Sequence, residues 1–345
     1  MRHNNLGILA GVMAALLLAG CASVPERELS LKPAYYAVLP NGHDPLNPDR
    51  LSPLYDPATS GIEEGFLPYL ERVHGRPLNL LSVSGGGQNG AFGAGFLISW
   101  QESGQRPAFD VVGGVSTGAL LATHALLGTP ADDAVLEKMY TTITKDDIYR
   151  DYGIIDLALG RAHSLKDTAP LRALIAKYIT AETLERVAAA YDENRMIFVG
   201  TTNIDYDQTW IWDMGRIAKD GRLELYRNVL LASTSFPIVF PPVEIDGHMF
   251  VDGAARSNLI VVGTSGTQRP KPPLYGPGNF YIIDNGRLEN PPEALRKALG
   301  EIAATTISVM MNTSMQAALA RSYFGARVKG YNFNLVAIPK DVTIG

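Results

Sequence analysis

The sequence predicts an α/β fold in which a mostly parallel sheet is covered by helices on both faces. Apolar runs typical of buried strands alternate with helical patterns from about residue 77 onward. Two of these runs, 78–83 and 109–112, lead directly into glycine-rich turns that are themselves followed by helical patterns. Because neighbouring parallel strands need crossover connections, strands separated by helices favour a parallel sheet.

The predicted elements alternate along this whole region. Strands are predicted over 78–84, 109–113, 196–201, 210–214, 280–284 and 333–338. Helices are predicted near 91–102, 117–127 and 223–232, and over about 292–326. Thr129 and Pro130 have the residue types of an N-cap and a first helical position, so a further helix is predicted there. Asp167 or Thr168 is predicted to cap another helix.

The composition sets the size of the fold and argues against one class of partner. The chain has 345 residues, of which 46% are hydrophobic and 19% are charged, which is enough for one large domain or two small ones with a sizeable core. The net charge of −5 gives no reason to expect nucleic-acid binding. We predict one folded domain over 77–345, preceded over 21–76 by a proline-rich tether and irregular extension.

The N-terminus has the pattern of a targeting segment. Arg2 and His3 precede an apolar run over 6–18, which is too short for a comfortable transmembrane helix. The run ends in Leu18-Ala19-Gly20-Cys21, which resembles the lipobox of bacterial lipoproteins. Cys21 is the only cysteine of the chain, so an intrachain disulfide is excluded.

The lipobox resemblance implies a signal peptide over 1–20 and a lipid on Cys21, which becomes the first residue of the mature chain. Ala22 stands where an aspartate would favour retention in the inner membrane. We therefore expect a lipid-anchored protein of the bacterial cell envelope, in the outer membrane. The alternative is an ordinary signal peptide with an incidental cysteine.

A glycine-rich turn over 85–90 follows the first strand of the domain and predicts an oxyanion hole. Consecutive glycines let backbone N–H groups approach a ligand without interference from Cβ atoms, as an acyl hydrolase requires. The same string fits the Gly-x-Gly-x-x-Gly pattern of dinucleotide binding, which expects an acidic residue about 20 positions further on. Asp110 has that spacing, but it opens its strand instead of closing it. A plain structural turn is the third interpretation.

The second glycine-rich turn, Gly114-Val115-Ser116-Thr117-Gly118, predicts a nucleophile elbow. Such a turn between strand and helix exposes a serine hydroxyl on a tight bend, and Gly114 and Gly118 leave the room that the bend needs. Ser116 also lies at a helix N-terminus, which favours negative charge. Ser116 is therefore the candidate nucleophile, and the Thr117 N–H is expected to join the oxyanion hole.

The sequence does not favour a histidine as the base. The histidines after Ser116 are His124, His163 and His248, and none follows Asp252. His124 is eight residues into the same helix, about 12 Å along it at 1.5 Å per residue, so it cannot reach Ser116 directly. His163 lies in a loop and His248 in a predicted hairpin turn, so the usual Ser-His-Asp triad is not expected.

Taken together, these residues resemble the patatin-like phospholipase family. The resemblance spans about residues 78–260 and rests on three motifs in order: the glycine loop at 85–90, the elbow at 114–118, and Asp252-Gly253-Ala254. The segments 233–237 and 240–242 and the position of Asn258 also fit the family.

The resemblance implies a three-layer α/β/α sandwich around a mostly parallel sheet. It implies a Ser–Asp dyad, with Ser116 as the nucleophile and Asp252 as the base. The implied oxyanion donors are Gly85, Gly86, Gly87 and Thr117, and the motif glycines are Gly90, Gly114, Gly118 and Gly253. The chain departs from the family at Asn89, where Arg or Lys is usual, so a positive charge near the oxyanion is not expected.

These residues predict a serine esterase of phospholipase A or lysophospholipase type that acts on phospholipid or another acyl-ester lipid. Partial burial is expected to raise the pKa of Asp252, and turn N–H groups of Gly253 or Ala254 to limit that rise. No cofactor and no metal are expected, and the sequence does not indicate an oligomeric state. The alternatives are a catalytically silent lipoprotein that keeps the fold and, with less support, a dinucleotide-binding protein.

Overall fold

The structure is a computed structural model. It describes residues 27–30, 37–38, 43–44, 47–51, 76–151, 164, 166–260, 278–289 and 299–342. The predicted signal peptide, Cys21 and most of the predicted extension lie outside these residues.

The strands of the described residues belong to one large mixed sheet and two small ones. They are β1 (Ala37–Val38), β2 (His43–Asp44), β3 (Asn47–Leu51), β4 (Asn79–Val83), β5 (Val111–Val115), β6 (Arg150–Asp151), β7 (Lys166–Asp167), β8 (Met196–Asn203), β9 (Gln208–Asp213), β10 (Val243–Ile245), β11 (His248–Asp252), β12 (Asn279–Asp284) and β13 (Asn332–Ala337). The large sheet has the order β1-β9-β8-β5-β4-β12-β13, and the β10–β11 hairpin joins it through β8.

The strands β8, β5, β4, β12 and β13 are parallel neighbours, which confirms the predicted parallel sheet. Three antiparallel pairings extend this centre: β9 with β8, β1 with β9, and β11 with the end of β8. In the last pairing, Asp252 lies opposite Thr201.

The helices occupy the connections between the strands. They are α1 (Gly90–Glu102), α2 (Thr117–Leu127), α3 (Pro130–Thr141), α4 (Lys145–Ile148), α5 (Ala169–Tyr178), α6 (Ala181–Asp192), α7 (Met214–Lys219), α8 (Leu223–Ser233) and α9 (Leu299–Lys329). Short 3-10 turns cover Gly87–Asn89 and Gly253–Ala255. Within the described part of the chain, no helix combines the length and the hydropathy of a membrane span.

Side chains of the central strands alternate between two apolar cores, as expected for a sheet buried on both faces. Leu81 and Val112 point into a core formed with helices on one face of the sheet. Leu80 and Val111 point into the other core, where they pack with Met315 of α9. The fold is therefore a sheet between two helical layers, the predicted three-layer arrangement.

Most of the predicted elements are confirmed to within a few residues. The predicted capping of α3 is confirmed, because the Thr129 side chain accepts a hydrogen bond from Asp132 N and Pro130 begins the helix. The sequence analysis did not predict α6, although Thr180 caps it in the same way. It also did not predict that part of the extension would form β1 and pair with the edge strand β9.

The carboxyl ends of β4, β5 and β8 meet at one edge of the sheet, which we call the C-terminal edge. Both glycine turns lie there, because they follow β4 and β5. Asp252 lies there too, since β11 runs antiparallel to β8 and ends beside it. Ligands of open α/β sheets bind outside the carboxyl ends of the strands, so this edge positions the candidate site.

Candidate active site

Ser116 occupies a strained turn between β5 and α2. Its backbone has φ 56° and ψ −127°, a conformation that non-glycine residues rarely adopt. The turn leaves no space for side chains at the flanking glycines. A Cβ on Gly114 would lie 2.3 Å from the Gly118 carbonyl oxygen, and one on Gly118 would lie 2.3 Å from Val83 O. These contacts are the geometry of a nucleophile elbow.

Ser233, the last residue of α8, stabilises the elbow through a buried hydrogen bond. The backbone N–H of Ser116 donates to Ser233 Oγ at 2.9 Å, and Ser233 Oγ donates to Gly200 O at 2.7 Å. Ser233 is completely buried. The serine thus links the strained turn to β8, a connection that the sequence analysis did not assign to any residue.

Asp252 ends β11 with its carboxyl group turned toward the elbow. Its Oδ1 accepts a hydrogen bond from Ala254 N at 2.9 Å, and its side chain also has a hydrogen bond with Ser116. The turn that follows needs Gly253, where a Cβ would lie 2.5 Å from Gly200 O. The structure therefore brings together Ser116 and Asp252, which are 136 positions apart in the sequence.

Burial raises the pKa of the Asp252 carboxyl to about 7, while its hydrogen bonds with Ser116 and Ala254 N limit the rise. The side chain is only 1% exposed, so the charged form has lost most of its hydration. A carboxyl group that titrates near neutrality is a stronger base than an ordinary aspartate. This arrangement allows Asp252 to accept a proton from a neighbouring hydroxyl.

The glycine loop after β4 presents Gly86 and Gly87, which are exposed, beside the elbow. The prediction that Gly85 contributes an oxyanion donor needs correction. Gly85 is buried, and its N–H already donates to Asn258 Oδ1 at 2.9 Å. A Cβ on Gly85 would lie 2.8 Å from Ser116 Cβ, so this glycine permits close contact between loop and elbow instead.

Thr117 places the N-terminus of α2 against the same loop. Its hydroxyl bonds to the Tyr140 hydroxyl, and burial raises the pKa of Tyr140 to about 12, so the phenol stays protonated. A Cβ on Gly90 would lie 2.2 Å from Thr117 Oγ1, which explains the glycine at that position. As the first residue of α2, Thr117 carries an N–H that has no acceptor within its own helix.

The family model for patatin-like phospholipases matches residues 81–263, which is more than half of the chain. The chain belongs to this family. The matched region contains both glycine turns, Ser116 and Asp252. Membership in the family supports a lipid hydrolase activity in general terms.

Two further comparisons add little to the family match. A similar solved structure is that of VipD from Legionella pneumophila, with 14% sequence identity and a TM-score of 0.41. The match covers 78% of this chain and 62% of VipD, so this chain spans somewhat under two thirds of that protein. No curated protein matches the chain.

The patatin-like glycine loop is fixed from behind by Asn285, which directly follows β12. Asn285 Nδ2 donates to Ser84 O at 2.8 Å, and Asn285 Oδ1 accepts from Gly93 N of α1 at 3.0 Å. A Cβ on Gly86 would lie 2.5 Å from Asn285 O, so loop and asparagine are in tight contact. The sequence analysis missed this residue, although a polar side chain at the carboxyl end of a parallel strand is a recognisable signal.

The two described histidines of the domain are engaged away from the elbow. His124 Nδ1 lies 3.1 Å from Asp132 Oδ1, near the end of α2. Burial raises the pKa of Asp132, but hydrogen bonds from His124 and Arg186 outweigh it and hold that pKa well below its usual range. His248 is buried among aromatic rings, including that of Trp210. His163 lies outside the described residues.

The position of Asp110 argues against the dinucleotide-binding interpretation. Asp110 lies just before β5, at the opposite end of the strand from the glycine loop. Its carboxylate accepts hydrogen bonds from Arg76 at 2.5 Å and from Asn79 N at 2.8 Å. Asp110 is therefore not placed to bind the ribose of a nucleotide held by residues 85–90. Across the described residues, no group of three or more His, Cys, Asp or Glu side chains is placed to hold a metal ion.

Proposed function

We propose that this patatin-like protein is a serine acyl hydrolase of phospholipase A or lysophospholipase type, which releases fatty acids from membrane lipids. The observation that carries the proposal is the pairing of Ser116, on a strained turn, with the buried carboxyl of Asp252. A strained serine with an adjacent base is the arrangement of an activated nucleophile.

In the acylation step, Asp252 removes the proton from the Ser116 hydroxyl while Ser116 Oγ attacks the ester carbonyl carbon. Because Oδ1 is already bonded to Ala254 N, we assign the proton to Oδ2. The carbonyl oxygen becomes negative and accepts hydrogen bonds from the N–H groups of Gly86, Gly87 and Thr117. Collapse of the tetrahedral intermediate expels the alcohol part of the lipid, which takes the proton from Asp252.

In the deacylation step, Asp252 removes a proton from water, and the resulting hydroxide attacks the acyl group on Ser116. The oxyanion donors act again, and collapse of the second intermediate returns the proton to Ser116 Oγ and releases the fatty acid. Preorganised donors of this kind are typically worth about 3–4 kcal/mol of barrier each. The positive end of the α2 dipole adds to the stabilisation of both oxyanions.

We also propose that Cys21 carries a lipid that anchors the protein to a bacterial membrane, with the outer membrane as the expected location. The support is the lipobox-like Leu18-Ala19-Gly20-Cys21 after an apolar run. An anchored enzyme meets its lipid substrate at the bilayer surface, so anchor and proposed substrate agree.

The test combines labelling with product analysis. Ser116 is expected to react with a fluorophosphonate probe, and the wild-type protein to release fatty acid from phospholipid vesicles. Ser116→Ala should lose both properties, while Ser99→Ala, which alters an exposed serine on α1, should keep both. A wild-type protein that stays unlabelled and releases no fatty acid would instead be a catalytically silent lipoprotein.

A further inference from the structure

The helix α9 is much longer than the sheet that it covers. It has 31 residues, which span about 46 Å at 1.5 Å per residue. The strands that it connects, β12 and β13, have 6 residues each, or about 20 Å. More than half of the helix length therefore extends beyond the strands.

The end of α9 that packs on the sheet is its C-terminal half. Its buried side chains begin at Met315 and recur at Ala318, Ser322 and Ala326. Because α9 leads into the start of β13, its C-terminus lies at the N-terminal edge of the sheet. The opposite half must therefore extend past the C-terminal edge, where the candidate active site lies.

A hydrogen bond fixes the point at which α9 leaves the sheet. Ser314 Oγ donates to Arg256 O at 2.8 Å, and Arg256 is four positions after Asp252. Before Ser314, none of the α9 side chains that the structure describes is buried, and the half-buried Met311 is the last one that packs against the core. The projecting half thus begins directly beside the turn that carries the proposed base.

The projecting half of α9 exposes apolar side chains, and its sequence carries no charge after Glu301. Val309 and Met310 are 57% and 67% exposed, and Ile302 is 47% exposed. Between Glu301 and Arg321 the sequence contains no charged residue. Surface helices normally carry charged side chains on the face turned to water, so this face is built for a different environment.

The start of the described chain lies at the same edge. Arg27 donates hydrogen bonds to Asp205 in the β8–β9 turn, at 2.9 Å, and to Gly247 O in the β10–β11 turn, at 2.8 Å. In the same β8–β9 turn, Asp207 pairs with Arg256. Successive contacts therefore connect three features of this edge. They are the turns that bind Arg27, the turn that carries Asp252 and Arg256, and the projecting half of α9.

The position of Cys21 identifies the surface that this edge faces. Cys21 is six positions before Arg27, so even a fully extended chain spans only about 20 Å between them. A lipid on Cys21 would hold the membrane within that distance of the turns bonded to Arg27. With that lipid in place, a bilayer is the surface that the exposed apolar face of α9 would meet.

We propose that Ile302, Val309 and Met310 form a membrane-docking face, which enters the boundary between headgroups and acyl chains when Cys21 is anchored. This inference rests on the proposed function for its anchor and substrate. Docking turns the C-terminal edge toward the bilayer, so a lipid that leaves the membrane enters directly between the glycine loop and the elbow.

The test uses the mature chain that the lipobox predicts, residues 21–345, with Cys21→Ser. This protein lacks both the lipid and the apolar run over 6–18, so the docking face is left as the means of membrane binding. In this background, Val309→Ser with Met310→Ser is compared with Tyr323→Ser and Phe324→Ser. The second pair is the matched control, because Tyr323 and Phe324 are 43% and 66% exposed on the half of α9 that packs on the sheet. Binding is measured by flotation with vesicles of phosphatidylglycerol and phosphatidylethanolamine, and folding by circular dichroism.

The first pair is expected to weaken vesicle binding by at least about tenfold, and the control pair by less than about twofold. Hydrolysis of vesicle phospholipid should fall with binding, while kcat/KM on a short soluble ester stays unchanged. The proposal would be overturned if the two double variants bound vesicles equally well. Sedimentation showing that Val309→Ser with Met310→Ser converts a dimer into a monomer would also overturn it, because the face would then join two copies.

The two proposals fail in different ways. Absence of fluorophosphonate labelling and of ester hydrolysis in the wild-type protein would remove the proposed function, but flotation would still measure the docking face. Conversely, the wild-type protein could be active while Val309→Ser with Met310→Ser leaves vesicle binding unchanged. That result would keep the proposed function and reject the docking face.

Discussion

At the scale of single residues, Ser116 and Asp252 are each held in a state that costs folding free energy. A non-glycine residue at positive φ costs on the order of 1–3 kcal/mol, and Ser116 has φ 56°. Since one pKa unit equals about 1.4 kcal/mol, a pKa of about 7 in place of 3.8 makes the charged Asp252 carboxylate about 4 kcal/mol less favourable. Both costs fall on the residues that the proposed chemistry requires.

The proposed dyad predicts how the effects of Ser116 and Asp252 variants combine. Asp252→Asn keeps the shape of the side chain but removes the base, so kcat/KM on a soluble ester should fall by at least about 10³-fold, nearly as far as in Ser116→Ala. The double variant should be hardly worse than either single variant, because the two residues act as one unit.

His124→Gln is the control for this series, since Arg186 still pairs with Asp132 after the change. It should retain most of the activity. A folded His124→Gln protein as inactive as Ser116→Ala would require a histidine base, and a fully active Asp252→Asn protein would remove Asp252 from the mechanism.

The raised pKa of Asp252 links activity and stability through one ionisation. The base must be deprotonated, so kcat/KM should rise with pH up to about pH 7 and then level off. Stability should change in the opposite direction. The folded state holds the proton more tightly than the unfolded state, so this group lowers the free energy of unfolding as pH rises from about 4 to about 7.

Denaturant unfolding of the wild type and of Asp252→Asn at several pH values measures this link. The variant lacks the ionisation, so its free energy of unfolding minus that of the wild type should increase by up to about 4 kcal/mol between pH 4 and pH 7. It should then stay constant above pH 7. A stability difference that does not depend on pH would show that Asp252 titrates normally.

The sequence identified the residues of the proposed dyad but not all of their neighbours. Ser116 and Asp252 were predictable because each lies in a short motif with its own glycines. The donor role predicted for Gly85 was wrong, since Asn258, 173 positions away, takes up its N–H. A contact over that distance depends on how strands pair, which no local pattern records.

At the scale of elements, the site depends on where β5, α2 and α8 meet. The bounds of α2 were predicted correctly, because the elbow marks its start and Gly128 its end. The role of α8 was not predicted, although its helical pattern was. Ser233 can accept the hydrogen bond of the Ser116 N–H only because α8 packs against the elbow. That packing depends on the arrangement of all the strands, so a local pattern does not predict it.

Ser233→Ala should weaken catalysis without touching the reacting atoms. The Ser116 N–H would lose its acceptor, and a buried unsatisfied donor costs about 1–3 kcal/mol. Because the strained elbow depends on that bond, kcat should fall about 10- to 100-fold, with KM nearly unchanged. Steady-state kinetics on a soluble ester measures the split between kcat and KM.

Ser235→Ala provides the matched control. Ser235 is also completely buried, two residues further along the same segment, and its hydroxyl donates to Leu231 O at 2.9 Å. It should lose a similar amount of stability but less than about threefold in kcat. If both variants lose kcat equally, Ser233 contributes to the fold alone and does not position Ser116.

At the scale of the whole molecule, the C-terminal edge of the sheet collects what the proposed function needs. The glycine loop, the elbow and Asp252 lie there because parallel strands end together and β11 reaches the same edge from β8. Arg27 binds the turns of this edge as well. The sequence predicted the parallel sheet and a tether, but the side on which the tether attaches became visible only with the strand order.

This arrangement predicts that the anchor acts on access to lipid and not on the chemistry. Cys21→Ser removes the lipidation position, so the protein should lose its lipid mass and should either remain unprocessed or leave the membrane fraction, keeping only the weaker binding of the docking face. Hydrolysis of membrane phospholipid should fall by about 10²-fold or more, because an anchored enzyme meets its substrate at a high effective concentration. Hydrolysis of a short soluble ester should stay within about twofold of the wild type, since Ser116 and Asp252 are unchanged. Ala22→Ser, which alters the next position, is the control and should remain lipidated. If Cys21→Ser lowers the rate on the soluble ester as strongly as the rate on membrane phospholipid, the N-terminal segment supports the active site itself and the anchor is not its main role.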